Sequence, residues 1–162
     1  MNIYQVVVFV HVIGLFGFLM AHGVSAGVYF VLRHERNVDR LRWLLQLSTS
    51  TARVMLPSLL VLIVTGVIAG FMGQWWSRGW IWLSLIVLVM IYAAMGMLGS
   101  RQLNQIRQGI GLPSSYGQPP QAEPLSAVEL NALLERIQPT RLAIIGFGGL
   151  AIIGWLMLVK PL

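Results

Sequence analysis

The sequence predicts an all-α protein: a four-transmembrane-helix bundle with both termini on the non-cytoplasmic side. Three observations carry this. First, 57% of the 162 residues are hydrophobic and only 10% are charged, whereas a soluble domain has about a quarter of its residues charged. Second, four apolar runs reach the roughly 20 residues that a helix needs to cross a bilayer. They cover about residues 4–32, 54–73, 79–100 and 142–159. Third, the basic residues are asymmetric. The connections after the first and third spans hold nine arginines: Arg33, Arg36, Arg40, Arg42, Arg53, Arg101, Arg107, Arg136 and Arg141. The opposite side holds Arg78 and Lys160. Arginine-rich connections stay in the cytoplasm, so this asymmetry sets the orientation. It also accounts for most of the formal net charge of +6 without a nucleic-acid partner.

Residues 1–162 read as one membrane domain. The first span is not a cleaved signal peptide, because no charged side chain precedes it and arginines follow it. The segment 33–53 reads either as an interfacial helix or as an extension of the second span capped by Asn37. The turn at residues 74–78 is short, so spans two and three are antiparallel neighbours. Trp75, Trp76, Trp80, Trp82 and Trp155 gather at the outer interface, where indole rings favour the headgroup layer. Pro57, near the inner end of span two, is a candidate kink.

Residues 101–141 form a cytoplasmic connection. Pro113, Pro119, Pro120 and Pro124 mark an irregular stretch. Ser126 and Glu129 then make a capping box. Leu130, Leu133, Leu134 and Ile137 follow at helical spacing, which predicts a short amphipathic helix over about 126–137, lying on the cytoplasmic face. Pro139 ends it and Thr140 caps the fourth span. Gly66, Gly70, Gly96, Gly146, Gly148, Gly149 and Gly154 let helices approach closely.

Span one carries a polar stripe. His11 and His22 are eleven residues apart, which is three turns plus roughly 20°, with a rise of about 16 Å. Tyr4, Ser25 and Tyr29 share that direction. Such a stripe faces the bundle, and ionisable groups within a membrane are functional candidates. Imidazole is a common ligand for metals and for haem iron. His11 and His22 are therefore the candidate axial ligands. Arg53 and Arg141, which begin spans two and four, are candidate propionate partners. Met95 lies near the depth of His22 as a possible further ligand, and Tyr92 is a neighbour of the same region. His34, in a basic run, reads as an exposed interfacial residue.

The segments FVHVIGLFGFLMAHG, LLVLIVTGVIAGF and WIWLSLIVLVMIYAAMG resemble small bacterial integral membrane proteins related to the CopD copper-resistance and HemJ-type membrane haem families. The resemblance covers the first three spans. It rests on a His on span one, a Thr-Gly on span two and an aromatic start to span three. It implies a four-helix bundle in the bacterial inner membrane and, from the HemJ side, b-type haem with His11 at the matching position. That family also uses a Lys in its third span. The only Lys here is Lys160, so the family's oxidase activity does not carry over.

Three functions follow as expectations. One is a haem-b protein for electron transfer or redox sensing, an oxidoreductase if it is an enzyme. Another is a copper handler using His and Met. The third is a cofactor-free subunit of a larger membrane complex. A homodimer would supply a second set of histidines. Thiolate chemistry is excluded by the absence of Cys. No P-loop or dinucleotide fingerprint occurs.

Overall fold

The structure, a computed structural model, describes residues 2–161. Among these residues it contains helices, turns and loop, and no strand. Five helices follow in order: α1 (Ile3–Leu32), α2 (Val38–Met72), α3 (Gly79–Gly109), α4 (Ala127–Glu135) and α5 (Pro139–Val159). All but α4 are long and apolar enough to cross a membrane. A single 3₁₀ turn, Trp75–Ser77, links α2 to α3. Two π-helical segments interrupt the α geometry, Gly96–Ser100 in α3 and Ile144–Gly148 in α5.

Two helices are longer than their apolar runs. With 35 residues, α2 extends about 52 Å against a hydrocarbon core of about 30 Å. Of the two readings of residues 33–53, the structure shows the extension: α2 begins at Val38, where the Asn37 side chain accepts from the amides of Asp39 and Arg40. Likewise α3 continues past residue 100 to Gly109, and α5 begins at Pro139 rather than residue 142. Hydropathy reports only the lipid-facing part of a helix. The extensions are amphipathic and bury Leu41, Leu44, Leu45 and Ile106 against one another.

That burial forms the main core, and it lies at one end of the bundle. Leu32, Leu41, Leu45, Ile106, Leu134 and Ile137 are each at most 1% exposed. The short helix α4 packs Leu130 and Leu134 into this core. Its apolar face is therefore covered by protein instead of lying free on a membrane surface. The expectation for the fourth span's cap is also corrected. Pro139 takes the first turn of α5, Gln138 precedes it without a side-chain cap, and Thr140 lies inside the helix. Proline suits a first turn because its missing N–H has no intrahelical partner there. Arg107 is not a free surface cation. It is buried and donates to the carbonyls of Pro113 and Leu45 and to the Thr49 hydroxyl, tying the 110–125 connection to α2.

At the opposite end the aromatic residues meet. The rings of Tyr4 and Trp75 are 6.0 Å apart, and those of Trp75 and Trp80 are 5.5 Å apart. Lys160 Nζ sits 4.5 Å from the Trp75 ring centre, a cation–π contact joining the end of α5 to the α2–α3 turn. Gln74 and Lys160 both take left-handed backbone conformations here.

Between these ends α1 and α2 pack as an antiparallel pair. Thr51, Ser58 and Thr65 recur every seven residues on α2 and meet Ser25, Gly17 and His11 on α1. A seven-residue repeat keeps one seam in contact along a left-handed pair. Gly17 faces Ser58 so closely that an added Cβ would lie 2.7 Å from the Ser58 hydroxyl. The opposite face of α1 presents Phe9, Ile13, Phe16 and Met20, all more than half exposed and positioned for lipid.

Substituting Gly17→Leu is expected to force α1 and α2 apart and cost about 1–3 kcal/mol, read as a lowered unfolding midpoint in detergent. The Glu129 carboxylate accepts from the Ser126 hydroxyl and backbone N–H, which holds it below the usual carboxylate range. A depressed carboxyl stabilises the fold above its unfolded pKa and loses that effect as pH falls through its folded one. Amide protection over residues 127–135 is therefore expected to fall on acidification from about pH 7 to about pH 3. Ser126→Ala is expected to weaken that dependence.

Candidate functional site

The polar stripe of α1 faces the protein, and its members divide between two neighbours. His11 and Ser25 bond to α2, while His22 and Tyr29 face α3 and α5. The two histidines therefore belong to different sites.

His11 is half-buried in the tryptophan-side half of the α1–α2 seam, where its Nδ1 lies 2.9 Å from the Thr65 hydroxyl. Thr65 Oγ1 in turn lies 2.5 Å from the Val61 carbonyl, one turn back on its own helix. A carbonyl only accepts, so the Thr65 proton is committed to it and the Thr65 oxygen accepts from His11. This fixes the Nδ1–H tautomer and leaves an unprotonated lone pair on Nε2. Nε2 has no hydrogen-bond partner among the described residues and is not a buried atom. The ring edge rests on Gly66, where an added Cβ would lie 3.3 Å from Cε1. Thr65 and Gly66 together orient an imidazole as a ligand requires, with one nitrogen anchored and the other free.

His22 is in the opposite situation. It is 6% exposed, stacked on Phe18 at 5.9 Å and edge-on to Phe147 at 4.9 Å. Its Nε2 is buried without a partner and lies against the backbone of α5 at Gly146, where an added Cβ would collide with it. Gly146 belongs to the π-helical segment of α5. Tyr29 is 7% exposed, and its hydroxyl packs on Gly99 in the π-helical segment of α3. Both interruptions thus border the same place, as π-bulges often do at functional positions. Ser25, Ala26, Met95, Pro139, Leu142 and Ala143 join His22 and Tyr29 in lining a cavity of about 20 Å³. A porphyrin does not fit there, since the Nε2 side of the ring is filled by α5.

Met95 and His22 thus share one cavity. Tyr92 does not join it, being 67% exposed on the outer face of α3. Arg53 and Arg141 are exposed near the arginine-rich end. No cluster of three or more His, Asp or Glu side chains able to hold a metal ion occurs among the described residues. Sequence reasoning passed over Thr65 as a partner of His11, and Gly146 as the contact of His22. The seven-residue recurrence of Thr51, Ser58 and Thr65 was an available signal for the first. Nothing in the sequence signalled the second.

¹⁵N spectra of histidine-labelled protein are expected to show His11 as the Nδ1–H tautomer. Thr65→Val is expected to mix the two tautomers and to cost about 0.5–2 kcal/mol of helix pairing. The chain matches no protein-family model and no curated protein, and the fold matches no solved structure.

Proposed function

We propose that this is an integral protein of a bacterial inner membrane that binds b-type haem on His11 and serves electron transfer or redox sensing. The arginine-rich connections lie in the cytoplasm and the tryptophan end outside, in accord with the nine-to-two distribution of basic residues.

One observation carries the reading: His11 is held by Thr65 in the tautomer that leaves Nε2 free, beside a glycine that keeps its ring edge clear. A structural histidine within a bundle has no need of a free nitrogen. A haem ligand requires one, and its anchored N–H raises its basicity toward iron. His11, the Thr of span two and the Gly after it are also the residues on which the family resemblance rests, and here they touch. Haem supplies one-electron chemistry when bound. This chain would supply the axial nitrogen from His11, its orientation from Thr65, and ring clearance from Gly66. Arg78 and Lys160 are the cations at the nearer end of the bundle. His22 is not assigned as a ligand, because α5 covers its Nε2.

The test is the visible spectrum of protein purified in mild detergent, oxidised and dithionite-reduced, with metal analysis of the same sample. A Soret band that shifts on reduction is expected. His11→Ala is expected to abolish it, His22→Ala to retain it, and Thr65→Val to weaken haem affinity roughly 10–100-fold. Colourless protein from haem-replete cells would refute the proposal. Copper without a porphyrin signal would favour the copper-handling alternative, and neither would favour a cofactor-free subunit.

A further inference from the structure

The His22 cavity lies apart from the His11 seam and does not depend on haem. Its polar groups share one deficiency. The imidazole of His22 has no hydrogen-bond partner among the described residues; its Nε2 is enclosed against α5 at Gly146, which leaves Nδ1 as the nitrogen open to a small ligand. The Tyr29 hydroxyl, in a side chain 7% exposed, makes no side-chain hydrogen bond among the described residues and, unlike Nε2, is not a fully enclosed atom. Ser25 is different. Its Oγ lies 2.8 Å from Thr51 Oγ1, and Thr51 is itself 2.7 Å from the Ser48 carbonyl. Thr51 therefore donates to Ser48 and accepts from Ser25, which leaves the lone pairs of Ser25 free. The cavity thus holds a donor without an acceptor at Tyr29, a free acceptor at Ser25, and an unpartnered imidazole at His22.

A buried polar group without a partner is costly, more so where no solvent can reach it. The cavity measures about 20 Å³. A water molecule needs about 10–15 Å³ and typically two to four polar partners. The space suits one water, and the three groups offer it three hydrogen bonds.

We infer that the cavity between α1, α3 and α5 is a binding site for a single water molecule, held by the His22 imidazole and the Ser25 and Tyr29 hydroxyls. The water accepts from Tyr29 and donates to Ser25, and its second proton serves Nδ1 of His22, the ring nitrogen that α5 does not cover. Gly146 and Gly99, in the two π-helical segments, leave room for the side chains that line the site, since a Cβ at either would press on His22 Nε2 or on the Tyr29 hydroxyl. Pro139 and Leu142 line the cavity on its side toward the arginine-rich end.

The experiment is water-edited NMR of the full-length, histidine-labelled protein in lipid nanodiscs. Transfer from a bound water to the His22 ring protons is expected in the wild type. Ser25→Ala combined with Tyr29→Phe removes two of the three partners and deletes only hydroxyl oxygens. It is expected to reduce that transfer roughly tenfold, with the His11 signals unchanged as the internal control. If the double variant does not fold, Tyr29→Phe alone is expected to reduce the transfer. No water contact at His22 in the wild type, or a contact indifferent to these substitutions, would overturn the inference.

Discussion

Inside hydrocarbon no solvent satisfies a polar side chain, so the hydroxyls and imidazoles of α1 turn toward the other helices and away from lipid. That constraint organises this bundle. His11 finds Thr65, Ser25 finds Thr51, and His22 and Tyr29 turn toward α5 and α3. Each such pair fixes both the rotation of α1 and its register against a neighbour. The apolar faces have no comparable preference, since a leucine meets lipid about as well as it meets another leucine.

Close approach is the second requirement, and glycine supplies it at most of the places where α1 meets a neighbour. Gly17 admits Ser58, Gly66 admits His11, Gly99 admits the Tyr29 hydroxyl and Gly146 admits His22. Gly149 does the same for Ile91 between α3 and α5. The polar atoms and the small residues therefore work as one device. Glycine brings a backbone near enough for a short side chain to reach across, and the hydrogen bond then holds the distance.

The two histidines show how the same residue type takes different roles on one helix. At His11 the partner hydroxyl already donates elsewhere, which forces the imidazole to donate and leaves Nε2 open. At His22 aromatic rings and a helix backbone enclose the imidazole, and its only remaining neighbour is a cavity of water size. An open ring nitrogen is left in one case and a small polar cavity is closed in the other. Their spacing along α1 is the same in either description. The difference comes wholly from α2 and α5.

Four apolar runs, the polar stripe of α1, the Asn37 cap and the Ser126–Glu129 capping box were legible in the sequence, because each is a local pattern of spacing or composition. So was the nine-to-two imbalance of basic residues. The extension of α2 from Asn37 stood as one of two readings of residues 33–53, and that of α3 was not legible, since it leaves the lipid and a hydropathy run ends there. Nor was the covering of α4, whose apolar face reads the same whether it meets a membrane or a core. The separation of His11 from His22 was least accessible of all. Helical periodicity fixes that both lie on one stripe, but a stripe wide enough to touch two neighbours belongs to neither until the helices are packed. Only the tertiary structure decides which helix each imidazole faces, because that choice rests on contacts between residues more than fifty positions apart.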